Sequence, residues 1–297
     1  RRGQTTEAST EGAMVPTSRT ESIYARILVG LDGSDYSRTA VDYACKLASA
    51  NDVVTGIAVV DLPGIERFVG PTPAGAGRSA AALEQTLLAE TQAKAEQVLT
   101  EFAATCEARG VAHTIHAETG KPFEEIIEAS KYHDVIVIGQ RTAFRYGAEE
   151  ETGDTLNRIL EHGLTPVVAL PAEPRDIRKV LVAYDDSLQS ARAIQMFLML
   201  GIWDECETTL ITVTDDADDG DRLLESLRDY CASYGVPANV VRAEGRPSAA
   251  ILGHIRENDT DLLVMGAYGR NRLTNFFVGS TTKATVQDAG IPIFLYH

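Results

Sequence analysis

The chain has 297 residues, 44% of them apolar and 24% charged, which is enough for two globular domains with full cores. Its 43 acidic against 27 basic residues leave a formal charge of −16, which argues against broad binding to nucleic acid or to acidic membranes. No apolar run approaches the roughly 20 residues that span a bilayer, and none follows the N-terminal arginines, so the expected setting is the cytoplasm, with no membrane partner. The four cysteines, Cys45, Cys106, Cys206 and Cys231, have no C-x-x-C spacing and read as buried free thiols, not a zinc site or redox motif.

Residues 1 to 22 are rich in Thr, Ser, Glu and Gly and read as a disordered tail outside the fold. From there, apolar β-rich runs alternate with helical patterns. Strands are predicted over 26 to 31, 53 to 60, 111 to 117, 134 to 138 and 167 to 170, then over 179 to 184, 208 to 213, 238 to 243, 261 to 265 and 291 to 296. Between them, Ala40, Val41, Ala44, Leu47 and Ala48 make one helix face, a long helix runs near 83 to 109, and Leu223, Leu224, Leu227 and Cys231 make another face. The Pro/Gly-rich stretch from Asp61 through Ser79 reads as a mobile surface loop, with a lid over the neighbouring cleft as its alternative. The acidic run from Asp215 to Asp221 reads as a solvated loop, because Ala217 and Ser226 occupy ligand positions of the EF-hand pattern.

The two halves repeat one another. Arg26-Ile-Leu-Val-Gly-Leu-Asp32-Gly-Ser matches Lys179-Val-Leu-Val-Ala-Tyr-Asp185-Asp-Ser, Gly120-Lys-Pro matches Gly245-Arg-Pro, and Asp134-Val-Ile-Val-Ile-Gly139 matches Asp261-Leu-Leu-Val-Met-Gly266. An internal repeat of a whole domain follows, with domains over 23–172 and 175–297. Each is expected to be α/β, an open five-stranded parallel sheet with helices on both faces, Rossmann-like. In such sheets a ligand settles beyond the carboxyl ends of the strands, at the switch in strand order.

The second copy places there a phosphate cradle. Gly266 and Gly269 follow a strand, and nine residues later come Gly279, Ser280 and Thr281. Glycines allow backbone N–H groups to approach a polyphosphate, and the helix start that follows adds unsatisfied donors and a positive dipole end. Arg270 or Arg272 could neutralise remaining charge, and Asp185, after the first strand of the copy, can accept from an adenine or ribose donor or simply form an Asx turn.

With the halves aligned, Tyr184 and Asp185, Val213, and the Gly266/Gly269/Gly279-Ser280-Thr281 pattern resemble the universal stress protein family, over residues 24 to 297. The resemblance implies a tandem universal stress protein. In the family's nucleotide-binding branch this glycine pattern holds ATP phosphates and ribose, while the region of the strand-one Asp and the end of strand two hold adenine. It further implies that the last strands of the copies pair, so that 167–170 and 291–296 form a pseudo-two-fold contact inside one chain and the chain is its own pseudo-dimer. The expected cofactor is ATP, with AMP or ADP and Mg²⁺ left open. Protein partners and association of two chains stay open as well.

The first copy departs from the pattern. It reads Gly139-Gln-Arg-Thr142 and later Gly153-Asp154-Thr155, so the second glycine is Thr and a carboxylate stands where phosphate would lie, with Glu149, Glu150 and Glu151 just before it. Weak or no ATP binding is expected there, although Asp32 survives. No His-x-Gly-His, Ser-Gly-Gly-x-Asp-Ser, Walker or Gly-x-Ser-x-Gly motif is present, and the six histidines are scattered; His113 and His116 would lie on opposite faces of one strand. The expected output is nucleotide-dependent regulation in a stress response. A slow ATPase or nucleotide-using enzyme and a scaffold that binds no nucleotide are the alternatives.

Overall fold

The computed structural model describes residues 26–71, 77–144, 154–201, 206–267 and 280–297. The tail at 1–22 lies outside them. In chain order the first copy comprises β1 (Arg26–Gly30), α1 (Asp35–Leu47), β2 (Val53–Asp61), α2 (Leu62–Val69), α3 (Gly77–Ala108), β3 (His113–Gly120), α4 (Pro122–Ser130), β4 (Val135–Gly139), α5 (Asp154–His162) and β5 (Val167–Leu170). The second comprises β6 (Lys179–Ala183), α6 (Leu188–Leu200), β7 (Glu207–Val213), α7 (Ala217–Ser233), β8 (Ala238–Ala243), α8 (Pro247–Glu257), β9 (Leu262–Gly266), α9 (Ser280–Asp288) and β10 (Ile293–Tyr296).

All ten strands join one sheet in the order β3-β2-β1-β4-β5-β10-β9-β6-β7-β8. Within each copy the pairing is parallel and the order, 3-2-1-4-5, is that of the first five strands of a doubly wound sheet. The copies meet where β10 runs antiparallel to β5, with Ile293 opposite Ala169 and Leu295 opposite Val167. Each copy thereby covers an apolar edge of the other, which would otherwise present unpaired N–H and C=O groups.

The period-two alternation of the strands sorts their side chains into two cores, one on each face. Ile27 and Val29, Val135 and Val137, Val168, Val180 and Val182, Val264 and Phe294 pack with α1, α3, α6 and α7. Leu28, Ile136 and Ile138, Val167, Leu181, Leu263 and Leu295 pack with α4, α5 and α8. Both cores run through the two copies without a break. The inner parallel strands, buried on both faces, are continuous apolar runs, which makes them legible one by one, whereas the edge strands β3 and β8 are largely exposed.

Two segments read as loops are helices at least in part. Residues 62–69 form α2, whose start is capped by Asp61, the carboxylate accepting from Gly64 N–H at 3.0 Å. Pro63 falls in the first turn, where its missing N–H costs nothing. The acidic run is the beginning of α7: Asp216 caps Asp219 N–H at 3.0 Å, and Asp218 and Asp219 occupy the first turn, where a negative charge meets the positive end of the helix dipole. His113 and His116 do lie on opposite faces of β3, His113 edge-on to Phe102 of α3 and His116 beside His133 below α4.

Candidate functional site

The second-copy site is built at the carboxyl ends of β6 and β9, adjacent strands at the switch in strand order. After β6 the chain turns through Tyr184, Asp185, Asp186 and Ser187. Asp186 takes φ +59°, the left-handed conformation that Gly33 takes at +78° in the first copy, so the same tight turn is made by Asp in one and Gly in the other. Ser187 then caps α6, its Oγ accepting from Ser190 N–H at 3.1 Å while the Ser190 hydroxyl donates to the Ser187 carbonyl at 3.0 Å. Ser34 and Ser37 repeat this reciprocal cap on α1.

Asp185 is half-buried, and its Oδ1 accepts from Ser187 N–H at 3.1 Å, an Asx turn. Tyr184 is half-buried against the core, its N–H bonded to the Ile211 carbonyl at 2.9 Å. Val213 closes β7 one strand over, also half-buried. Tyr184, Asp185 and Val213 therefore stand together at the ends of neighbouring strands, alongside Gly266 at the end of β9.

Gly266 has a packing reason of its own. A Cβ there would lie 2.6 Å from the backbone N of Ser190 and 2.8 Å from the carbonyl carbon of Gln189, so α6 can settle on β9 only because the residue is glycine. Gly269, Arg270 and Gly279 lie outside the described residues. So does the side chain of Ser280, which opens α9; Thr281 is half-buried in the first turn. Thr282, unnoticed in the sequence, is buried, and its hydroxyl donates to the Ala267 carbonyl at 2.7 Å. This bond pins the start of α9 to the end of β9. The first N–H groups of a helix lack intrahelical partners, and this bond keeps the start of α9 beside the end of β9.

At the equivalent place in the first copy, the loop after β4 lies among the described residues as far as Phe144. Asp32 is buried at 8% exposure, and three donors engage its carboxylate: Ser34 N–H at 3.0 Å and the Ser34 hydroxyl at 2.6 Å on Oδ1, and Ala143 N–H at 2.9 Å on Oδ2. The last contact crosses from the end of β1 to the loop after β4. That loop carries Phe144 into the core, fully buried, with its ring tip 3.2 Å from where a Cβ on Gly30 would sit. The first copy's loop is folded onto its own aspartate. Gly153 and the glutamates at 149–151 lie outside the described residues, as does the side chain of Asp154.

None of the described helices is long and apolar enough to cross a membrane, and the described residues contain no cluster of three His, Cys, Asp or Glu able to hold a metal ion.

The model of the universal stress protein family matches residues 23–171 and 217–297. The universal stress protein Slr1230 of Synechocystis is 26% identical over 283 residues, covering 91% of this chain and 99% of its own. Among solved structures, a universal stress protein from Archaeoglobus fulgidus superposes with a TM-score of 0.67 at 22% identity, over 91% of this chain and 97% of that one. A protein from Pseudomonas aeruginosa, described as a putative universal stress protein, gives 0.58 at 12% identity over 92% and 93%. The repeated βα unit, the ten-stranded sheet and the two matched segments together place the chain in one family: it belongs to the universal stress proteins.

Proposed function

We propose that this chain is an ATP-binding regulator of a stress response, in which the second copy takes the nucleotide and the first serves as a closed pseudo-domain. Family membership supports the stress-response role. The observation that carries the division of labour is the state of Asp32: it is buried, and its carboxylate is engaged by Ser34 and by Ala143 N–H from the loop after β4, while the full glycine pattern stands only in the second copy's sequence.

The chemistry of the second-copy residues fits the ligand. Asp185 can accept from an adenine amino group or a ribose hydroxyl, Tyr184 and Val213 offer apolar surface to a base, and the start of α9 with Thr281 offers donors to phosphate. The polyphosphate supplies negative charge, and Gly266, Gly269, Arg270, Gly279 and Ser280 complete the proposed site. Nucleotide binding would change the conformation or the partner contacts of the chain, and that change is its regulatory output.

The test is calorimetric titration of nucleotide-stripped protein with Mg-ATP, beside Gly279→Val. We expect one site per chain of micromolar strength, about −8 kcal/mol, lost in the variant. Two comparable sites per chain would refute the closed first copy, and no binding by wild type would refute the nucleotide reading.

A further inference from the structure

Cys45 of α1 and Cys106 of α3 are separated by 61 positions in the chain, yet their Sγ atoms lie 3.7 Å apart. Both side chains are buried, at 7% and 0% exposure, and each sulfur is the other's hydrogen-bond partner. The contact is held in register one helical turn away. Arg109, three residues beyond Cys106, forms an ion pair with Asp42, three residues before Cys45, and also donates to the Asp42 carbonyl at 3.1 Å. Residues three apart share a helix face, so the ionic pair and the thiol pair are consecutive rungs between the same two helices.

Of the other two cysteines, Cys231 is a buried residue of α7 in the second copy, and Cys206 donates to the Ile177 carbonyl at 3.6 Å. Nothing in the nucleotide site uses any of the four.

We propose that Cys45 and Cys106 are an oxidation site, converted by a peroxide-class oxidant into an intramolecular disulfide that staples α1 to α3. The sulfur of Cys45, the less buried of the two, attacks one peroxide oxygen. The O–O bond breaks, one water leaves, and a sulfenic acid remains. The sulfur of Cys106 then displaces the hydroxyl as a second water while the S–S bond forms. Each sulfur is oxidised by one electron, the peroxide is reduced to two waters, and both thiol protons end in water. The sulfurs stand 3.7 Å apart against a bonded distance of about 2.05 Å, in an interface that the Asp42–Arg109 pair already aligns. Burial pushes both thiols up, Cys106 to about 12, so the thiolate is scarce and the reaction is slow, suited to sustained and not momentary oxidant exposure. The staple bears on the closed copy, because α3 also braces the turn after β1: a Cβ on Gly33 would meet Val98 at 3.0 Å.

The experiment treats the full chain with a small excess of hydrogen peroxide, then maps thiols and peptides without reductant. We expect the four free thiols to fall to two, a mass loss of two hydrogens, and a linked peptide containing Cys45 and Cys106. We also expect a melting temperature raised by several degrees and returned by dithiothreitol, since a long loop becomes cross-linked. Cys45→Ser and Cys106→Ser should each abolish the linked peptide and the rise. Four thiols surviving treatment, linkage through Cys206 or Cys231, a bond between two chains, or addition of oxygen to Cys45 with no cross-link would each overturn the proposal. The wild-type peptide map decides even if a serine variant fails to fold.

Discussion

A methyl group on Gly266 would press against the backbone of Ser190 at 2.6 Å and of Gln189 at 2.8 Å, and backbone cannot rotate away as a side chain can. Gly266→Ala should therefore lower stability by about 2–3 kcal/mol in urea unfolding, whether or not nucleotide is present. A variant with unchanged stability would show that α6 can retreat. The sequence marked this position as a necessary glycine and assigned it to phosphate approach; the structure supplies a packing requirement that no local pattern contains, because the atoms in the way belong to another element 76 positions earlier. Of the two readings of Asp185, the Asx turn is present in the structure, and the ligand role belongs to the proposal. Thr282 was missed because a threonine following Ser-Thr carries no mark of its own until the end of β9 is beside it.

At the scale of elements, α4 is stitched to the sheet by one histidine. His133, just past the helix, bonds through Nδ1 to the Ala129 carbonyl at 2.8 Å and through Nε2 to the Thr55 hydroxyl on β2 at 2.9 Å, and Thr55 in turn meets Thr114 of β3 at 2.9 Å. With the carbonyl as acceptor, Nδ1 carries the proton and Nε2 accepts from Thr55 in the neutral ring. Burial, the largest cause, holds the pKa of His133 below its usual value. The folded state thus binds its proton less readily than the unfolded state. The stabilising contribution is complete above the unfolded pKa of about 6.5 and is lost as pH falls through the folded pKa. Urea midpoints should fall between about pH 7 and about pH 5, and His133→Gln should show a shallower fall; an equal slope would remove His133 as the cause. Burial lowers His254 and His297 as well, so the slope is reduced and not abolished. Elements with apolar periodicity were legible throughout, whereas α2 was not, because Pro63 and Gly64 read as breakers until Asp61 is seen capping the turn that contains them.

For the whole molecule, the junction between copies is the decisive contact. Besides the β5–β10 ladder, Gln140 sends its Nε2 to the Ile291 carbonyl at 2.8 Å, a buried hydrogen bond between residues 151 positions apart. Gln140 follows Gly139 at the place where the second copy has Ala267, so the bridge is made by the first copy's residue. Gln140→Leu leaves that carbonyl without this donor and should cost about 1–2 kcal/mol, read as a lower unfolding midpoint. No change would mean that the ladder alone carries the junction. The continuity of both cores across β5 and β10 argues for the copies unfolding together.

The doubled α/β plan and its ten strands were set down in the sequence, since strand periodicity, turn residues and a repeated motif are local signals that survive without knowledge of the fold. What only the tertiary structure decided are contacts between residues far apart in the chain. Ala143 N–H closing on Asp32 across 111 positions, Cys45 meeting Cys106 across 61, and Gln140 reaching Ile291 across 151 depend on how the helices and loops settle on the sheet. Each is a single pair whose residue types say nothing until packing brings the partners within bonding distance.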